Sequence, residues 1–209
     1  MKEYVTIGKS ETVIENVIEK SRFIASAMHV ETAEQALDFV NSKKKQYYDA
    51  THNCYAYVAG DKAKFSDDGE PQGTAGMPIY ECIKGKSLDY VCVVVTRYFG
   101  GVKLGAGGLV RAYGGACADV LNSADKVSMR LCRLAEITIE YSQLKTVRRA
   151  LQSVAKEQSV SYSDKVTLHY LILDELSSTI TDIISQNTLG KGQIEFLDKV
   201  LAVYDEAGV

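Results

Sequence analysis

The chain has 209 residues, 46% hydrophobic and 24% charged, with 16 glycines, 2 prolines and no tryptophan; this excludes disordered and collagen-like classes and leaves one large or two small globular domains. A formal net charge of -3 excludes bulk attraction to nucleic acid or an anionic membrane, so any polyanion site must be a local patch. Residues 1–133 hold 17 Lys+Arg against 16 Asp+Glu and residues 134–209 hold 7 against 11, which makes the second part the poorer polyanion binder.

In chain order, residues 11–30 read as extended, with Phe23, Ala25 and Ala27 alternating with Arg22, Ile24 and Ser26. Thr32-Ala33-Glu34-Gln35 matches a capping box and opens a helix to about Lys45, whose Lys43-Lys44-Lys45 run reads as a solvated last turn complementing the helix dipole. Asn53–Ala59 reads as a strand with Cys54, Ala56 and Val58 on the core face and Asn53, Tyr55 and Tyr57 on the other. Phe65 to Gly76 reads as a polar, glycine-punctuated loop, Pro78 to Gly85 as a short helix and Leu88–Thr96 as a buried strand. Arg97 to Gly108 reads as a second glycine-rich loop, and a helix starts at Leu109. The remainder alternates as strand, Ser142-capped helix, hairpin, helix and strand, the β-α-β-β-α-β order of a ferredoxin-like unit.

Twelve of the 16 glycines fall between Gly60 and Gly115, so the special backbone lies in the first part. The segment Arg97 to Arg111 joins a strand to a helix N-terminus, and free N–H groups there with Arg97, Lys103 and Arg111 would cradle an anion. Neither Walker A nor the dinucleotide fingerprint fits, because Ala106 and Gly107 stand where Lys and Ser/Thr would follow Gly105, and Val110 stands where the last glycine or alanine belongs. Glycines for a tight turn and close helix packing explain the segment equally. Asp67, Asp68 and Glu70 have the hard oxygen ligands of a magnesium site and also the composition of an ordinary turn. His52 and Cys54 share a strand face but stand roughly 6–7 Å apart, too far for a nucleophile and base in a straight strand. Tyr55 and Tyr57 would stack on bases if their face is open to solvent. The five cysteines include no C-x-x-C pair and read as reduced core thiols; with no signal-peptide stretch and no apolar run beyond Val91–Val95, a cytoplasmic location without membrane contact is expected.

Three ordered blocks, Asp49 to Val58, Ser66 to Gly76 and Thr96 to Gly115, together with Ser21-Arg22-Phe23, resemble the IMPACT family in its bacterial YigZ-like branch. The resemblance covers essentially the whole chain but includes no RWD domain, through which the eukaryotic members engage partners. It implies an N-terminal domain similar to domain IV of elongation factor G, with a left-handed β-α-β unit shared with the GHMP kinases, and a C-terminal domain similar to that factor's domain V. It further implies a link to translation, since eukaryotic members restrain a stress-responsive translation-initiation kinase by competing for its activator. The kinase comparison departs at Gly105-Ala106-Gly107-Gly108-Leu109, which lacks the serine placed there.

The expectation is therefore an α+β chain of two domains, 1–130 and 131–209. The N-terminal domain would be a non-catalytic binding module for RNA, the ribosome or a translation factor, with no cofactor and no metal. Arg22, Arg97, Lys103, Gly105, Gly107, Gly108 and Arg111 would meet anions, with His52, Asp67, Asp68, Glu70 and Thr74 forming the adjoining polar surface and Tyr55 and Tyr57 available for stacking. The alternative is an enzyme or small-molecule binder that takes a phosphorylated ligand on the Gly105–Gly108 turn and a divalent metal on Asp67, Asp68 and Glu70.

Overall fold

The computed structural model of the chain describes residues 2–204; Met1 and the last five positions of the expected second domain lie outside the described residues. The fold is α+β, and the chain divides into two compact units, one of Tyr4–Val127 and the other built chiefly from Ser128 onward.

The first unit contains β1 (Tyr4–Ile7), β2 (Thr12–Ile18), β3 (Ser21–His29), α1 (Ala33–Gln46), β4 (His52–Ala59), β5 (Lys62–Ser66), α2 (Gly76–Gly85), β6 (Val91–Tyr98) and α3 (Gly105–Ser123). Its sheet runs β2-β3-β6-β4-β5 with every neighbouring pair antiparallel. Since β3 and β4 both oppose β6, they are parallel to each other, and α1 is the crossover between them. Period-two alternation gives each central strand two apolar faces, and both are covered. Phe23, Ala25, Cys54, Ala56, Val93 and Val95 pack with α2 and α3, whereas Tyr55, Tyr57, Cys92 and Val94 pack under Ala36, Phe39 and Val40 of α1.

The Thr32 side chain accepts from the Gln35 N–H, as a cap should, but the Gln35 amide reaches one residue further back, to the Glu31 N–H. The solvated reading of the lysine run needs correction at Lys43. This residue is buried because its ammonium turns inward to Glu11 at 2.6 Å and Gln46 at 2.7 Å, while Lys44 reaches Asp68. Two element boundaries also differ. Phe65 and Ser66 belong to the exposed edge strand β5, and α3 starts at Gly105, four residues before Leu109. Gly105 enters the helix at φ +70, and burial of Leu109, Ala112, Tyr113, Ala116, Cys117, Val120 and Leu121 outweighs the roughly 1 kcal/mol that each interior glycine costs.

Between β2 and β3 the pairing of Ile18 with Ser21 leaves a two-residue turn, Glu19-Lys20, with φ of 46 and 69. This is the left-handed backbone of a type I′ hairpin made without glycine, a conformation that costs about 1–2 kcal/mol per residue. Gly100 lies against this turn. A Cβ on Gly100 would fall 2.0 Å from the Lys20 carbonyl, so no other residue fits without moving the backbone.

The second unit contains β7 (Lys126–Ile139), α4 (Leu144–Leu151), β8 (Ala155–Tyr162), β9 (Val166–Leu173), α5 (Ser177–Thr188) and β10 (Gln193–Val203), with the antiparallel order β10-β7-β9-β8. That is the ferredoxin-like arrangement. Ile137, Ile139, Val147, Leu151, Leu168, Ile172 and Ile180 form its core. A 3-10 turn at Tyr141–Gln143 precedes α4, so the cap is the reciprocal pair Glu140 and Gln143 rather than Ser142.

Candidate functional site

The β6–α3 connection and the Ser66–Gly76 loop meet at one end of the first sheet, and they do different work. Register places His52 opposite Arg97 and Phe23 on its other side. The Arg97 guanidinium lies 5.4 Å from the ring centroids of both Phe23 and Phe99, donates from Nη1 to Glu70 Oε1 at 2.6 Å and from Nη2 to Ser21 Oγ at 3.3 Å. The Tyr113 hydroxyl donates to the same Glu70 oxygen at 2.8 Å, and burial raises its pKa far above the usual phenol value. Glu70 and Arg97 side chains are only 4% and 6% exposed, so this pair is interior structure that ties the loop to β6 and α3.

The loop organises itself around its own carboxylates. Asp67-Asp68-Gly69-Glu70 forms a turn in which Asp68 and Gly69 have φ of 43 and 91 and the Glu70 N–H reaches the Asp67 carbonyl. The Asp67 carboxylate accepts from the N–H groups of Gly73, Ala75 and Gly76 at 2.8–3.0 Å, capping the start of α2 with a negative charge. Asp68 accepts from the Asn53 N–H and from Lys44. His52 Nδ1 donates to the Asp68 carbonyl at 2.9 Å, which leaves Nε2 facing Glu70 at 3.8 Å. The Cys54 thiol donates to the Asp67 carbonyl and is pushed up to about 12 by burial, so it is no nucleophile.

These contacts correct several expectations. Arg97 is unavailable to an external anion because its charge is spent on Glu70 inside the fold. Glu70 and Thr74 are buried, the latter closed on the Pro71 carbonyl, so neither forms part of a polar surface. Tyr55 and Tyr57 cannot stack on bases, since α1 covers their face. Among the described residues no three His, Cys, Asp or Glu side chains gather in metal-binding geometry, and Asp67, Asp68 and Glu70 each hold a different protein partner.

On the α3 side of the sheet, Lys103, Gly108 and Arg111 line one groove of about 470 Å3 with Ile18, Glu19, Val102, Leu104 and Ala112. The N-terminus of α3 has no side-chain cap and no acidic residue in its first turn, and Gly105 and Gly107 keep it unobstructed. Arg22 lies on the other sheet face, bidentate to Glu15 at 2.8 and 3.2 Å and 5.2 Å over the Tyr98 ring. Sequence reasoning missed the Glu19 wall, because Glu19-Lys20 contains none of the Asn, Asp or Gly that mark a two-residue hairpin turn. In the second unit Arg148, Arg149, Lys156 and Tyr170 line another groove of about 440 Å3, where Arg148 is bidentate to Glu157 and holds its carboxyl below the usual range.

The model of the Impact N-terminal domain matches residues 19–121, which include both loops, the Glu70–Arg97–Tyr113 cluster and, in the groove, Glu19, Lys103 and Arg111. IMPACT family member YvyE of Bacillus subtilis is 40% identical over 198 residues, 90% of this chain and 90% of its own. The chain belongs to the IMPACT family. Within it, YigZ of Escherichia coli is 40% identical over 158 residues, 72% of this chain and 76% of its own. A crystal structure described as that of a hypothetical protein is 31% identical, superposes with a TM-score of 0.61 and covers 98% of this IMPACT chain and 99% of its own. No helix among the described residues is long and apolar enough to cross a membrane.

Proposed function

We propose that this IMPACT protein is a translation-associated binding module that holds the phosphate backbone of ribosomal RNA on the α3 N-terminus. Family membership supports the link to translation. The observation that carries the RNA reading is the juxtaposition of an uncapped helix N-terminus with Lys103 and Arg111 in one groove, because free N–H groups, the positive end of the helix dipole and two cations favour the same ligand charge. Glu19 on the opposite wall sets one negative charge against them, so the surplus is small and local. The alternative, a phosphorylated small molecule held with a divalent metal, keeps the groove but loses its metal loop, whose carboxylates are taken up by backbone N–H groups, Lys44 and Arg97.

Co-sedimentation with ribosomes at low salt tests the proposal. Wild type pellets with the ribosomes, and K103E/R111E shifts to the supernatant with at least a tenfold weaker apparent affinity, about 1.4 kcal/mol or more. Wild type remaining in the supernatant, or both proteins pelleting alike, would overturn it.

A further inference from the structure

Strand β6 runs out into a short column of rings and charge. Register sets Arg97 beside Phe23 of β3, and the Arg97 guanidinium lies over both the Phe23 and the Phe99 ring, 5.4 Å from each centroid. The Phe23 end of this column is closed, because Phe23 is buried and meets Tyr113 of α3 edge-on at 5.3 Å. The Phe99 end is open: the residue is 46% exposed. A single exposed aromatic is ordinary, and what sets this one apart is its mounting. The Phe99 N–H donates to Thr51 Oγ1 at 3.0 Å, the Thr51 N–H donates to the Arg97 carbonyl at 2.9 Å, and the Gly100 N–H donates to Ser21 Oγ at 3.2 Å. The backbone on either side of the ring is thus tied to the chain entering β4 and to the start of β3, while the guanidinium beneath it is held by Glu70.

The ring also adjoins the anion groove. Gly100, the next residue, rests on Lys20, whose neighbour Glu19 forms one wall. Val102, which belongs to the other wall, follows Phe99 by three peptide bonds and so stands within about 11 Å of it by Cα. Tyr98 is differently placed, sharing the other sheet face with Arg22, which lies over its ring, and giving its hydroxyl to Asp49.

We propose that Phe99 is a stacking platform for an unpaired base of the RNA whose phosphates the groove holds, so that the ligand is single-stranded rather than duplex RNA. This rests on the RNA reading above and narrows its ligand. A base laid on the outer face of Phe99 becomes the next layer of a column that is already built, and any base will serve, because each has a π-face. In a duplex the base faces are stacked on one another, which leaves phosphates, sugars and groove edges for a protein to meet. The fixed mount means that little of the protein has to be ordered when the base arrives. Phe99 thereby takes the role that alternation assigned to Tyr55 and Tyr57, whose face α1 covers.

The chain has no tryptophan, so F99W places a single indole on the platform. Full-length F99W is titrated at low salt with oligouridylate, with an RNA duplex of the same length, and with inorganic polyphosphate, which offers charge without bases. Oligouridylate quenches the indole emission saturably, whereas duplex and polyphosphate leave it unchanged. F99L keeps an apolar cover over Arg97 but no ring; it binds labelled oligouridylate at least tenfold more weakly than wild type, the scale of one stacked base, and binds polyphosphate as wild type does. Unchanged far-ultraviolet circular dichroism shows that F99L retains the fold, and the F99W quench is read independently of it. Oligouridylate that binds F99W without quenching it, duplex that quenches equally, or F99L that binds oligouridylate as tightly as wild type would overturn the stacking platform and leave the RNA reading standing. Wild type that binds no RNA would overturn that reading, and this inference with it.

Discussion

Glu70 lies at the centre of the first unit's polar interior, and its partners differ in what their loss would leave behind. E70Q keeps the shape of the side chain but leaves the Arg97 guanidinium buried without a counter-charge, at a cost of about 3–5 kcal/mol of unfolding free energy. Y113F removes one hydroxyl donor to an otherwise satisfied carboxylate and costs about 1.5–3 kcal/mol. Urea titration of the two variants measures both, and E70Q proving the milder change would refute this ranking. The residue types were legible in the sequence, since the acidic loop, Arg97 and the Lys103–Arg111 segment could all be named. Their partners were not. Which cation satisfies Glu70 is decided by strand register and by a helix more than 40 residues away, neither of which a local pattern encodes.

Glycines that look alike in the sequence divide by what surrounds them. Gly115 has open space at its Cβ position and ordinary helical backbone, so G115A should raise stability by roughly 0.8–1 kcal/mol. Gly100 abuts the Lys20 carbonyl, and G100A should lower it by about 3 kcal/mol or more, in the range of severe backbone strain. Thermal denaturation of the pair decides, and a shift of the same sign in both would contradict the distinction. Alternation and helical spacing made β3, β4, α1 and the ferredoxin-like unit readable. They hid β5, whose Lys62-Ala63-Lys64-Phe65-Ser66 is an exposed edge strand with no buried face to impose a pattern, and the start of α3, where glycines mimic a loop. Alternation also assigned Tyr55 and Tyr57 to a face without revealing that α1 covers it.

At the scale of the whole molecule, a net charge of -3 supplies no long-range attraction to RNA, so binding rests on the few cations of the groove. Two phosphate contacts, through Lys103 and Arg111, give a log–log dependence of affinity on salt of about -1.4, taking roughly -0.7 per contact for a single strand. Titration of a labelled single-stranded RNA between low and physiological salt measures it; a slope steeper than about -4 would require a broad basic surface that this charge distribution does not provide.

The contact between Gly100 and the β2–β3 turn has a consequence for how a ligand would meet the groove. One wall comes from Ile18 and Glu19 and the other from the stretch leading into α3, and the Gly100 N–H fastens the second segment to Ser21 Oγ at 3.2 Å while its bare α-carbon rests on Lys20. Two stretches of chain some 80 residues apart are thereby moulded into one rigid rim rather than hinged like a jaw. A ligand entering it orders little that is not already ordered, so the entropic toll of closure is small.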